Sequence, residues 1–341
     1  MKRQTILGTR LSNYHTHSTF LKMTEVEIAY MTSVFRILTV LSISLLAACG
    51  APTKEALIQK YGGAESVFIE VDGNQVHYRD EGRIEGGRGT VVLLHGTASS
   101  LHTWDDWVQS LSQDYRVIRM DLPGFGLTGP DPSDRYEVVD DVAFLNKFLA
   151  RVVEGPIHLV GSSLGGRIAW DYSLAYPAAV ESLTLMNALG YPQEKWPLPI
   201  ELAQWPIIDS VFASMSPRVF FSSSLKEIYF DDGLVNDELI DRYHGLANYP
   251  GNLDAFPKRV KAKLDTESDR IQMISTPTLV MWGEEDIYFP VKNAYRFQQD
   301  IRGAALKVYE NTGHLPMEEI PKKSVRDYQL FLAGLSRTNT S

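Results

Sequence analysis

The chain is 341 residues long, 44% apolar and 22% charged, the proportions of an ordinary soluble globular protein with ample material for a core. Thirty-three Lys and Arg stand against 42 Asp and Glu, for a net charge of -9. With no basic run to track phosphates, this balance argues against nucleic acid as a partner. The single cysteine, Cys49, leaves no intrachain disulfide to form.

In chain order, residues 1–30 are polar and lack a clear period. Residues 37–48 form a short apolar run preceded by Arg36 and ending in small residues, the layout of a secretory signal. A membrane-spanning helix needs about 20 apolar residues, more than this run supplies. It closes with Leu46-Ala47-Ala48-Cys49-Gly50, which resembles the lipobox of bacterial lipoproteins. That resemblance implies that Cys49 is diacylated and becomes the N-terminus. The plainer alternative is that Cys49 is a small residue closing an ordinary signal. On the lipoprotein reading, 1–48 are an upstream segment and signal with Met31 as the start. His15 and His17 then fall outside the protein, and 49–65 form a lipidated tether with 51–60 as spacer. Gly50, where an aspartate would favour inner-membrane retention, points to the outer membrane of a bacterial envelope.

Two strands at 66–71 and 75–80 flank Asp72-Gly73, a hairpin signal. Apolar strands at 90–96, 115–121, 157–163, 180–186, 277–283 and 305–310 then alternate with helical stretches at 138–153, 165–176, 292–299 and 323–335. Continuous apolar strands interleaved with helices predict an α/β fold: a mostly parallel eight-stranded sheet with helices on both faces. Sites in such sheets form at the carboxyl ends of the strands. The aromatic-rich interval between Met186 and Thr276 has no obvious strand and is too long for a plain connection. It predicts a helical cap at 188–273, inserted into a core made of 66–187 and 274–337.

Gly161-Ser162-Ser163-Leu164-Gly165 fits G-x-S-x-G, directly after one predicted strand and before a helix. A sharp turn there needs small flanking residues to lift the central serine off the backbone. Ser163 has a glycine two residues away on each side and Ser162 does not, so Ser163 is the candidate nucleophile. Leu164 would open the helix, where free N–H groups favour an oxyanion. A serine needs a base to take its proton. Of the eight histidines, His77, His158 and His244 have structural positions, and His102 near the site reads as structural too. His314 follows the last strand in a loop and comes last in the order Ser, acid, His. Asp286, three residues beyond Gly283, is the candidate acid, with Glu284 and Glu285 as competitors. Asn187, in the equivalent turn one strand earlier, cannot serve as a carboxylate. The Thr97 amide, in His95-Gly96-Thr97-Ala98, pairs with that of Leu164 as an oxyanion hole, and His95 reads as a buried hydrogen-bonding residue. No metal site or cofactor is expected.

The chain resembles the capped α/β-hydrolase superfamily from about residue 66 to 335. The motifs that carry this are HGTASSLHTW at 95, DLPGFG at 121, GSSLGG at 161, WGEED at 282 and GHLPMEE at 313. The resemblance implies that Asp121 shapes its loop rather than taking part in catalysis. Haloalkane dehalogenases and epoxide hydrolases of this fold carry Asp at the elbow, so Ser163 disfavours their chemistry. Carbon–carbon bond hydrolases of the superfamily share the Ser, Asp and His set, but their loop typically reads H-G-x-G-P-G where this chain has HGTASS. The sequence therefore leads us to expect a carboxylic-ester hydrolase, acting on a small apolar ester through an acyl-serine. The nearest alternative is carbon–carbon cleavage of a meta-cleavage product, and cofactor-free perhydrolysis is a further one. A non-catalytic ligand receptor on the same fold is the reading from another class. Trp196, Trp205, Phe212, Phe220, Phe221, Tyr229 and Phe230 in the cap read either as an apolar pocket wall or as cap packing.

Overall fold

In the computed structural model, Asp72 and Gly73 take positive φ (50° and 88°), the conformation that a tight hairpin turn demands. They fold β1 (Ser66–Val71) back onto β2 (Asn74–Gly82), with Val71 opposite Asn74. The structure describes residues 52–338, except 84–85, 194–195, 197, 204–216 and 263–266. Cys49 and the signal-like run lie outside the described residues, as do Trp205 and Phe212.

β2 pairs antiparallel with β4 (Arg116–Met120), and every later pairing is parallel: β3 (Thr90–Leu94), β5 (Ile157–Ser162), β6 (Val180–Met186), β7 (Thr278–Gly283) and β8 (Ala305–Tyr309). The order β1-β2-β4-β3-β5-β6-β7-β8 gives the expected eight-stranded, mostly parallel sheet. The chain leaves β3 toward β4 and then crosses to β5, so the connections after β3 and β5 depart on opposite sides. That reversal opens a crevice at their carboxyl ends, where Thr97 and Ser163 follow their strands.

The helices are α1 (Lys54–Leu57), α2 (Asp105–Leu111), α3 (Val138–Val152), α4 (Leu164–Ala175), the cap helices α5 (Leu198–Ala203), α6 (Arg218–Ile228), α7 (Asp237–Ala247) and α8 (Asn252–Lys261), and then α9 (Lys292–Asp300), α10 (Pro316–Glu319) and α11 (Pro321–Thr338). Strand alternation splits the core between the two faces of the sheet. Val92 and Leu94 join Phe148, Ile168 and Trp170 on one side, and Val91 and Leu93 join Trp104, Trp107 and Tyr328 on the other. Trp107 stacks on Tyr328 at 5.2 Å and donates Nε1–H to Ser324 Oγ at 2.9 Å, fixing α11 to α2. Each such buried side chain contributes on the order of 2–3 kcal/mol.

The cap is helical, with no strand among its described residues. Arg259 on α8 donates two 2.9 Å bonds to the buried Asp141 on α3, which ties cap to core. The stretch expected as a free spacer is partly folded. Thr53 Oγ1 accepts from Ala56 N to cap α1, Leu57 is buried, and Tyr61 OH reaches the Asp241 carbonyl on α7 at 2.7 Å.

Candidate active site

Ser163 sits between β5 and α4 with φ 54° and ψ -116°, a conformation that costs a non-glycine residue of order 1–3 kcal/mol. Three backbone bonds hold it there. Its N–H donates to the Met186 carbonyl, and its carbonyl accepts from the amides of Arg167 and Leu189, each at 3.1 Å. The flanking glycines are required by proximity: a Cβ on Gly161 would overlap the Gly165 backbone, and one on Gly165 would lie 2.5 Å from the Leu94 carbonyl oxygen. Ser162 is fully buried in the strand, and its hydroxyl has no partner among the described residues. Ser163, half-buried, is the serine presented to the crevice.

The structure brings Asp286 and His314 together. Asp286 Oδ2 accepts from His314 Nδ1 at 2.7 Å, and its Oδ1 accepts from the amides of Tyr288 and Phe289 at 2.8 and 3.0 Å. Both side chains are buried, and Tyr288 and Phe289 flank the His314 ring at 5.4 and 5.3 Å. An acceptor on Nδ1 fixes the tautomer that leaves Nε2 free to take a proton. Ser163 and His314 follow the carboxyl ends of β5 and β8 and so occupy the same end of the sheet. The competing glutamates do other things: Glu285 accepts from the Thr312 amide at 2.9 Å, and Glu284 is exposed.

Asn187 matters more than the sequence indicated. Fully buried at the end of β6 with φ 44°, it donates Nδ2–H to Asp286 Oδ2 at 2.6 Å and accepts from Gly283 N at 3.3 Å. It thereby binds the acid to the neighbouring strand ends. The available signal was its place in the turn after β6, equivalent to that of the acid after β7.

Thr97 and Leu164 lie on opposite walls of the crevice. Leu164 is the first residue of α4, so its N–H is among those a helix leaves without an internal acceptor. The Gly96 carbonyl is held by His95 Nδ1 at 2.7 Å and by Ser99 N at 3.3 Å. Because a trans peptide points its N–H opposite to its C=O, this turns the Thr97 N–H away from His95. A Cβ on Gly96 would lie 2.9 Å from Ser163 Cβ, so glycine allows the two loops to approach. His95 Nε2 accepts from the Leu122 amide at 2.9 Å, and full burial pushes the imidazole down to about 4. His95 is therefore a neutral brace. Asp121 accepts from His77 and from the amides of Leu101 and Leu127, at 2.7 to 2.8 Å, which makes it a loop-shaping hub. Burial opposes its ionisation, but His77 and these donors outweigh it and bring the carboxyl to about 2. His158 bonds Ser182, and His102 lies 3.3 Å from Asp105; both stand apart from the Asp286–His314 pair. In the cap, Tyr229 is buried and Trp196 and Phe221 pack against the core clusters, whereas Phe220 and Phe230 are exposed.

The model described as the alpha/beta hydrolase family matches residues 91–327. The chain belongs to the α/β-hydrolase family. A 2-hydroxy-6-oxononadienedioate/2-hydroxy-6-oxononatrienedioate hydrolase of Paraburkholderia xenovorans (strain LB400) is 30% identical over 284 residues, covering 79% of this chain and 95% of that protein. The hydrolase of the same name from Escherichia coli (strain K12 / DH10B) is 28% identical over 70% of this chain and 84% of its own. The meta-cleavage product hydrolase of Pseudomonas fluorescens IP01 shares the fold, with a TM-score of 0.68 and 24% identity over 80% of this chain and 98% of its own. These findings overturn the expected carboxylic-ester hydrolase. A 2-hydroxy-6-oxononadienedioate holds a ketone, an enol and two carboxylates but no ester, so its hydrolysis breaks a carbon–carbon bond. The HGTASS loop misled because a difference in its side chains says nothing of the backbone amides there, which any residue at those positions supplies.

Proposed function

We propose that this α/β-hydrolase cleaves the carbon–carbon bond beside the ketone of a 2-hydroxy-6-oxo-dienoate, the meta-cleavage product type, with Ser163 as nucleophile, His314 as base and Asp286 as the group that orients it. The observation that carries this reading is the relationship to the 2-hydroxy-6-oxononadienedioate hydrolases along nearly their whole length. Ketonisation of the 2-enol delivers a proton to C5 and leaves a C2 carbonyl conjugated with the remaining alkene. His314 Nε2 takes the Ser163 proton as Oγ adds to C6, and the resulting oxyanion is held by the amides of Thr97 and Leu164. When C5–C6 breaks, the electron pair passes into the conjugated carbonyl and regenerates a dienol, with His314 returning the proton. Water then releases the acyl group from Ser163 by the same route in reverse.

The test follows the decay of dienoate absorbance with purified protein, beside p-nitrophenyl acetate. Dienoate should turn over faster, and Ser163→Ala should lower that rate at least about a thousandfold. A protein that hydrolyses the ester but leaves the dienoate intact overturns the reading. Lipid attachment through Cys49 to a bacterial envelope membrane is a separate proposal, supported by the lipobox-like LAACG alone. It is decided by whether Cys49→Ala leaves the membrane fraction.

A further inference from the structure

Two consecutive glutamates follow His314, and their carboxylates join it to the cap. Glu319 accepts from the amides on either side of His314, Gly313 at 3.0 Å and Leu315 at 3.2 Å, and from the cap amide of Phe230 at 2.9 Å. The His314 N–H itself donates to the Ile228 carbonyl of the cap at 2.9 Å. Glu318 gathers four donors: Tyr229 OH at 2.7 Å, Tyr243 OH at 2.6 Å, Arg242 Nη2 at 2.9 Å and Thr103 Oγ1. Three of the four belong to the cap. The Tyr243 hydroxyl also lies 3.4 Å from Ser99 Oγ, just beyond the oxyanion loop.

A carboxylate this buried, with its side chain 9% exposed, is costly to desolvate and persists only when fully hydrogen-bonded. For simple cap packing an apolar contact would serve better. On its outer side the junction floors a cleft of about 1590 Å³, lined by Tyr229, Leu239, Arg242, Glu318, Thr103 and His102 among others. Packing is therefore interrupted there, and Arg242 and Tyr243 of α7 meet Tyr229 and Thr103 at the Glu318 carboxylate, beside the contacts of Asp241 with Tyr61 and of Ile240 with the core.

We propose that Glu318 is a positioning residue that makes cap closure and the placement of His314 one event. With α7 docked, Arg242, Tyr229 and Tyr243 hold the start of α10, and Glu319 and Ile228 hold the His314 loop against the same cap segment. With the cap lifted, Glu318 loses three donors and the loop loses the Ile228 and Phe230 bonds together, so the base is released whenever the pocket is open to water.

The inference rests on the reading of Ser163 and His314 above, and its test separates the two. In the full-length protein, Glu318→Gln puts donors opposite Arg242. Hydrogen exchange should then accelerate about tenfold in peptides covering both 237–247 and 313–319. Saturable fluorophosphonate labelling of Ser163 should lose about tenfold in maximal rate, while the half-saturating concentration and the pH midpoint stay put. Tyr243→Phe keeps the ring in place and guards against misfolding of the first variant; it should show the same paired changes at about threefold. Faster exchange in 237–247 alone, or a change only in the half-saturating concentration, would mean that Glu318 merely fastens the cap, and the proposal falls. Wild-type protein that never labels counts against the nucleophile instead, and the exchange experiment still decides the coupling.

Discussion

Asn187→Asp turns the donor behind the acid into a second carboxyl group. The amide nitrogen lies 2.6 Å from Asp286 Oδ2, and the residue is fully buried. Two carboxylates at that separation cannot both ionise, so the pair keeps one proton and its higher pKa rises by about 3 units. While that proton is present, the new group donates to Asp286 much as the amide does, and His314 keeps its orientation. Once it is lost, like charges drive Asp286 from Nδ1, and kcat/KM should drop at least about tenfold. The introduced group's folded pKa, about 7, then lies above its unfolded value of about 3.9. Its proton-linked stability is thus fully present below about pH 4 and is lost as pH rises through about 7, a total of about 4 kcal/mol at about 1.36 per unit. For a domain of this size that lowers the melting temperature by about 5–8 °C between pH 4 and 8. Dienoate turnover against pH, with thermal melts across the same range, reads both effects. Wild type should hold a plateau toward high pH, whereas the variant should fall away above about pH 7. A variant that follows the wild-type plateau to pH 9 and melts alike at both ends would refute the role assigned to Asn187.

Two further changes probe the supports of the site. His95→Leu orphans the Leu122 amide and leaves the Gly96 carbonyl only the 3.3 Å bond from Ser99 N, at a cost of about 1–3 kcal/mol at pH 7 in urea unfolding. Since the folded pKa of His95 is depressed to about 4, wild type should lose stability as pH falls from about 6.5 toward 4, where the unfolded chain alone takes up the proton. The variant should lack that acid-side component, and an unchanged slope would contradict the buried neutral imidazole. Arg259→Met leaves Asp141 buried without its partner and should cost about 3–5 kcal/mol. Hydrogen exchange should show α8 opening first; uniform destabilisation of the sheet would argue against a cap-specific tie.

The sheet and the Ser163, Asp286 and His314 positions were legible because each depends on local signals. Central strands such as β3 and β5 are continuous apolar runs, Asp72-Gly73 encodes a two-residue turn, and Gly161 and Gly165 answer a steric demand visible in the spacing. Helix α2 was not, because seven residues after a 3₁₀ turn are too few to show a 3.6 period. Folding of 53–63 was hidden for a similar reason: Leu57 and Tyr61 find their partners about 180 residues away, on Leu246 and Asp241. Asn187, Glu318 and Glu319 were missed because their roles lie between elements. An amide behind a carboxylate, or a glutamate that collects cap donors, acquires meaning only once β6, β7, α7 and α10 have been brought together.

The overturned ester expectation follows from the same division. As proposed above, Ser163, His314, Asp286 and two backbone amides would add an oxygen nucleophile to a carbonyl and hold the oxyanion, and nothing in that set depends on whether the leaving atom is oxygen or carbon. A carbon leaving group needs a substrate that can accept the electron pair, and a pocket that holds it so that C5 receives a proton before C5–C6 breaks. Those requirements fall on the cap and the surfaces it closes over. The cap is also the part of this chain whose hydrogen bonds reach back to His314, through Ile228, Phe230 and the Glu318 junction. On the proposed coupling, cap substitutions at Arg242 or Tyr243 should change substrate choice and base placement together, while substitutions on the opposite face of the sheet, at Leu145 or Phe148, should change stability alone.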